Sequence, residues 1–439
     1  MKTASSPSVP RALSLSLSRA RARARRRPAS APAAALAALT AFAASAPALV
    51  HADPVGAGWS LVFEDNFDGS VVDTAKWNFR TDTKQASAGA LVSAQKAENV
   101  VIGDGLMSVR LTRNTKPDGT FLNYSGGGLV SKKKFRYGYY ESRIKFNATP
   151  GWHSSFWLQT GDGSTTFPPE RRTEIDVFEY DSVNSATDQL KHNIIRWNAS
   201  GAEVGPRKTS NNYDIGTSVT AWHTYAVEWN ESGTTFYIDG SPYYPAGAVV
   251  NGVTMTGTQP RFFAYPPSLH EHDKLAIWLT TIAYGTTWPN AADLPDQVQF
   301  DYARYWQKDY YLDVKGAEPG EYAESGSWLN SSLAGWTKDS PSRYAACGVA
   351  GAKATWTPTL AAAGSYQVFA YNIVHSLSDP NQRFDVAGST TMINGTTGSS
   401  GWVSLGTFAL AAGSATSVVQ TASGTGCARA NAVKFVRVG

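Results

Sequence analysis

The chain has 439 residues, 42% hydrophobic and 17% charged, which is enough apolar material for more than one folded core and excludes a disordered, charge-rich chain. Beyond residue 50 no stretch is long and apolar enough to span a bilayer, so a soluble protein is expected. The formal charge is +4, but residues 1–52 hold eight of the 39 basic residues and none of the 35 acids; the remainder is net acidic, and charge gives no reason to expect a nucleic-acid partner.

The first segment reads as an export signal. Residues 1–30 contain Lys2 and seven arginines without an acid, and residues 31–50 are Ala-rich and uncharged, a long n-region followed by an h-region. Cleavage after Ala52 satisfies the small-x-small pattern through Val50-His51-Ala52, with Ala46 as the alternative. Arg25-Arg26-Arg27 resembles a twin-arginine signal, but Pro28 stands where that signal has apolar residues, so ordinary secretion to the extracellular space is expected.

The most informative run is Glu174-Ile175-Asp176-Val177-Phe178-Glu179. Side chains alternate along a strand, so Glu174 and Asp176 share a face while Ile175 and Val177 take the other. Strict alternation turns Glu179 away; one β-bulge between Asp176 and Glu179 returns it to the acidic side. A solvent-facing strand is the ordinary source of such a pattern. Against that, adjacent like charges on one face repel, and Trp152, Phe156, Trp157, Phe178 and Tyr180 crowd the motif, as in a sugar cleft. Basic residues stand nearby. Lys132-Lys133-Lys134 reads as a solvated strand end, whereas Arg171-Arg172 lies close enough to Glu174 to meet a sulfated or uronic sugar.

Composition changes after Tyr311. Residues 311–319 read as a linker and 320–439 as a second, smaller β-sandwich, with runs such as Ser365-Tyr366-Gln367-Val368-Phe369-Ala370-Tyr371 alternating at strand period. Cys347 and Cys427 are the only cysteines; an even pair in an exported chain suggests one disulfide, with two buried thiols as the alternative. There is no nucleotide-binding glycine loop, HExxH or Cys/His metal spacing, so no cofactor is expected.

The acid run resembles the glycoside hydrolase family 16 signature. The resemblance extends through Phe63-Glu64-Asp65-Asn66-Phe67-Asp68, Lys76-Trp77-Asn78, Arg136-Tyr137-Gly138-Tyr139-Tyr140-Glu141, Ser155-Phe156-Trp157-Leu158, Trp222-His223-Thr224-Tyr225, Tyr237-Ile238-Asp239-Gly240 and Phe300-Asp301-Tyr302-Ala303-Arg304. It implies an all-β jelly-roll catalytic domain over residues 55–310 and a polysaccharide as partner. Carried over residue by residue, it implies Glu174 as nucleophile, Glu179 as acid/base and Asp176 as the residue tuning both. Retaining glycosidases hold the two carboxyls about 5–5.5 Å apart, and an ionised Glu174 at that range favours the protonated form of Glu179.

Four further residues are candidate substrate contacts. Trp157 matches the family's aromatic near the cleavage point, with core packing as the alternative; Trp152 sits by a glycine on an expected loop. His192 and Trp197 lie on the expected next cleft strand, His192 being equally readable as a hydrogen-bonded structural histidine. Trp77, Trp222 and Trp229 are assigned to packing. The small residues Ser154-Ser155, in His153-Ser154-Ser155-Phe156-Trp157, lean toward a galactan of the agarose or porphyran type by the family resemblance. A β-1,3-glucan, a transglycosylase and a non-catalytic glycan binder stay open. A structural calcium, held by some relatives, is marked by no cluster here, and a monomer is expected. Through Gly326-Ser327-Trp328, Ala354-Thr355-Trp356-Thr357-Pro358, Ala363-Gly364-Ser365-Tyr366 and Ala430-Asn431-Ala432-Val433-Lys434-Phe435, residues 320–439 resemble the golvesin C-terminal-like domain, which implies glycan or surface attachment, or a passive stabilising role.

Overall fold

The computed structural model describes residue 54 and residues 56–438 outside 86–91, 116, 120, 166–172, 183–188, 199, 205–207, 210–212, 232, 243–248, 251–252, 255–273, 284–288, 315–318 and 338–341. The expected export segment and Arg171-Arg172 therefore lie outside the described residues. No helix among those described is long and apolar enough to cross a membrane.

The chain is all-β, and its larger part is built from two sheets. The acid-bearing sheet runs in the order Trp77–Phe79, Phe121–Ser131, Ala276–Ala283, Trp152–Gln159, Thr173–Asp181, Gln189–Arg196. The opposite sheet runs Val100–Gly103, Leu106–Thr115, Asp296–Gln307, Gly138–Lys145, His223–Asn230, Gly233–Ile238, with Ser60–Asp65 also paired to Asp296–Gln307. Each strand gives one face to a shared core. Leu158, Ile175, Phe178 and Ile277 from the first sheet join Ile144, Tyr225, Phe236 and Phe300 from the second. Phe178 lies 5.0 Å from Tyr225 between ring centroids. Burying each such side chain contributes about 1.5–3 kcal/mol, which makes this layer the foundation of the acid strand.

The triplet Gly126-Gly127-Gly128 fixes how closely the Phe121–Ser131 strand meets Ala276–Ala283. A Cβ at Gly126 would stand 2.2 Å from the Thr281 carbonyl oxygen, and one at Gly128, where φ is +155°, 2.4 Å from that of Leu279. Any side chain there would push away the strand that carries Trp278 and Thr280.

The second core belongs to the C-terminal part. A four-stranded sheet (Tyr310–Asp313, Ala432–Arg437, Gly364–Asn372, Gly401–Leu410) and a five-stranded sheet (Tyr322–Ser325, Ala350–Trp356, Val418–Ser423, Gln382–Val386, Ser389–Ile393) enclose Trp356, Val368, Phe384, Val418 and Phe435. Cys347 and Cys427 form a disulfide.

The segment read as a linker begins differently. Tyr310–Asp313 is a strand paired to Ala432–Arg437, and Leu312 is buried in the second core. Four residues are too few to show a period in sequence, and their partner lies some hundred and twenty residues downstream. The two parts meet over a packed surface. Trp336 and Ala432 join the core of the larger part, and Tyr311 stacks on Trp336 at 5.2 Å. Glu231 accepts hydrogen bonds from the Trp336 and Trp402 indoles at 2.8 and 2.6 Å and an ion-pair contact from Lys434 at 2.7 Å.

Candidate active site

The strand Thr173–Asp181 contains the expected bulge. Its register slips between Asp176 and Phe178 against Trp152–Gln159, and between Asp176 and Glu179 against Gln189–Arg196. One extra residue is thereby accommodated, and both Val177 and Phe178 are buried in the intersheet core. Glu174, Asp176 and Glu179 then stand on one face. Opposite them on one neighbour are Gln159, Trp157 and Ser155, and on the other Ile195, Asn193 and Lys191; directly paired residues share a face.

Each outer carboxylate is held by donors from a flanking strand. Trp197 Nε1 donates to Glu174 Oε2 at 3.0 Å, and Gln159 Nε2 donates to the same oxygen. Glu179 is held at both oxygens: His153 Nε2 lies 2.7 Å from Oε1, and Asn193 Nδ2 donates to Oε2. Glu179 is 8% exposed and Asp176 4%, while Glu174 is less covered. Side chains fixed this way lose little further entropy when a substrate arrives.

Across from Asp176 the same face carries indoles. Trp157 and Trp278 lie 4.5 Å apart between centroids, and Trp157 Nε1 donates to Thr280 Oγ1 at 2.9 Å. Arg80 donates to that hydroxyl at 2.9 Å, pairs with Asp82 at 2.7 Å, and places its guanidinium 5.8 Å from both indole centroids. Trp157 is on the acid face as expected, though mostly covered.

Two of the expected contacts are corrected. His192 faces the core: it is 1% exposed, stacked on Phe236 at 4.1 Å and edge-on to Phe178. Trp152 begins a strand rather than occupying a loop, and it is fully buried against Tyr124, Leu111 and Ala283. The cause is strand parity. His192 is five residues from Trp197, and Trp152 five from Trp157; an odd spacing in an unbulged strand puts the members of each pair on opposite faces. The same parity identifies residues that the sequence reading passed over. Asn193 is four from Trp197, and Gln159 and His153 are two and four from Trp157. Among the described residues no group of His, Cys, Asp and Glu is arranged to hold a metal ion.

Two carboxylates flanking a buried third, with aromatic walls beside them, can carry out nucleophilic and acid–base chemistry on a glycosidic bond. Residues 59–307 match the family described as "Beta-porphyranase A-D, GH16 domain", and residues 314–437 match the Golvesin C-terminal domain. The chain is 25% identical over 277 residues to glucan endo-1,3-beta-glucosidase A1 of Niallia circulans, over 58% of this chain but only 39% of that protein. It is 26% identical over 289 residues to kappa-carrageenase of Pseudoalteromonas carrageenovora, covering 61% of this chain and 68% of that one. Beta-porphyranase B of Zobellia galactanivorans is 25% identical over 198 residues, 42% of this chain and 66% of that protein. A crystal structure of porphyranase B from Zobellia galactanivorans aligns with a TM-score of 0.40 and 20% identity, over 57% of this chain and 92% of that chain.

Proposed function

The chain belongs to glycoside hydrolase family 16, and from that premise we propose that it is a secreted, retaining endo-hydrolase of a galactan of the agarose or porphyran type. The observation that carries the reading is that Glu174 and Glu179 share one face of a bulged strand, each oriented by its own donors from the flanking strands.

In this reading Glu174 attacks the anomeric carbon while Glu179, protonated at the start, gives its proton to the leaving glycosidic oxygen. A glycosyl–enzyme ester forms on Glu174. Its negative charge is then gone, and Glu179, now ionised, takes a proton from water as that water displaces the ester. Gln159 and Trp197 hold the Glu174 oxygen in line, and His153 and Asn193 hold Glu179. Asp176, between them on the same face, restrains how readily each gains or loses a proton. Trp157 and Trp197 are the proposed stacking surfaces for sugar rings.

The galactan lean is supported by the small residues Ser154-Ser155 before Phe156-Trp157, by the porphyranase-type family match and by the similarity to a kappa-carrageenase. A β-1,3-glucan is the second reading, favoured by the similarity to glucan endo-1,3-beta-glucosidase A1. Export rests on the basic and Ala-rich segments before residue 53.

The test is reducing-end release by the purified protein from agarose, porphyran, κ-carrageenan, laminarin and mixed-linkage β-glucan, with Glu174→Gln as the blank. Release from a galactan alone is expected. Release from glucans alone would overturn the galactan assignment, and activity in the Glu174→Gln protein above a tenth of wild type would overturn the nucleophile.

A further inference from the structure

Ser155 stands on the acid-bearing face, and the catalytic reading gives it no contact. In the strand Trp152–Gln159 it is directly paired with Glu179 on one side and with Thr280 on the other. Directly paired residues share a face and set their Cβ atoms about 4.5–5.5 Å apart, so the Ser155 hydroxyl lies beside the Glu179 carboxyl. Two residues along the strand, about 6.8 Å in either direction, come Trp157 and His153 on the same face. Ser154 points the other way, and its hydroxyl meets Asn147 and Thr281.

The polar side chains around Ser155 are committed to protein partners. His153 and Asn193 hold Glu179, Gln159 and Trp197 hold Glu174, and the Thr280 hydroxyl accepts from both Trp157 and Arg80. Ser155 differs. It is 4% exposed, as covered as Asp176 and Trp157, yet among the described residues nothing hydrogen-bonds its hydroxyl, and the oxygen is not sealed from solvent. A hydroxyl offers one donor and two acceptor positions, and on a nearly covered face these go unmet at a cost unless water or a ligand takes them.

We propose that Ser155 is a substrate-binding residue: its hydroxyl hydrogen-bonds a hydroxyl group of the sugar unit that stacks on Trp157, and so holds the glycosidic oxygen against Glu179. This rests on the reading of Glu174 and Glu179 as the reacting pair. In the free protein water meets the Ser155 hydroxyl, and the sugar hydroxyl takes the place of that water. A serine kept for folding would instead hold a protein group, as Ser154 does.

The experiment compares Ser155→Ala with wild type in urea unfolding and in steady-state cleavage of the glycan that the reducing-end panel identifies. The unfolding midpoint is expected to stay unchanged, because no protein hydrogen bond is lost, while kcat/KM falls about tenfold, the size of one hydrogen bond to substrate. The limb of the pH–rate profile that reports Glu179 should stay in place, since Ser155 does not hold that carboxyl. A kcat/KM within about twofold of wild type would overturn the contact. So would a loss of activity matched by a lower unfolding midpoint, the mark of a structural serine, or a shifted Glu179 limb, which would place the effect on the acid. Activity retained in Glu174→Gln, or no release by wild type from any glycan of the panel, would overturn the underlying reading and this contact with it; an unaffected Ser155→Ala beside an inactive Glu174→Gln would overturn the contact alone.

Discussion

His153 Nε2 stands 2.7 Å from Glu179 Oε1, reaching the acid-bearing strand from the neighbour that also carries Trp157. On the other side Asn193 holds the second oxygen. In the proposed reaction Glu179 first gives and then takes a proton, which needs one orientation through both steps, and these two side chains hold it.

Removing either holder should therefore act on turnover more than on affinity. His153→Ala and Asn193→Ala are each expected to lower kcat by about 10–100-fold, the range in which misplacement of a reacting group operates. KM should change little, and the pH–rate profile should shift on the limb that reports Glu179. A change confined to KM would place these residues in substrate binding instead.

Burial between Phe178 and Phe236 lowers the His192 imidazole to about pH 3. In the unfolded chain the group titrates near its ordinary value of about 6.5, so between those values the unfolded state binds the extra proton. The stability associated with neutral His192 is complete above about pH 6.5 and falls by about 1.4 kcal/mol per unit of pH on the way down to about pH 3. Urea unfolding of wild type and His192→Phe between pH 4 and 7 measures this. The variant should lose less stability on acidification; parallel curves would show that the ring is not buried as a neutral group.

Arg136 and Asp313 form a buried ion pair at the junction of the two parts, with side chains 2% and 0% exposed. Asp313→Ala leaves the guanidinium buried without its partner and is expected to cost about 3–5 kcal/mol in urea unfolding. A loss below about 1 kcal/mol, the range of a surface pair, would mean that the junction is open to water.

The Cys347–Cys427 bond closes a loop of 80 residues. In the chain-entropy account, replacing both by Ser removes up to about 4–5 kcal/mol. Reducing the wild type should lower its unfolding midpoint to that of the double-Ser protein. An unchanged midpoint under reductant would contradict a structural role for the bond.

What the sequence revealed divides along a physical line. The acids were legible because their residue types are costly on an ordinary strand face, and one bulge sufficed to bring Glu179 beside Glu174 and Asp176. The second sandwich was legible from alternation over long strands. The donors were less accessible, since Gln159, Asn193 and His153 are ordinary polar residues whose meaning depends on strand register. Parity alone would have separated His192 from Trp197 and Trp152 from Trp157. The Tyr310–Asp313 strand could not be read locally, because its hydrogen-bond partner is Ala432–Arg437 at the far end of the chain.

The most direct test of the central claim is the anomeric configuration of the first-formed reducing end, followed by proton NMR during cleavage of whichever glycan the reducing-end assay identifies. Double displacement through Glu174 predicts that the β-anomer appears first and then mutarotates. The α-anomer as the initial product would contradict a Glu174 ester and would require Glu179 and Glu174 to act through an intervening water instead.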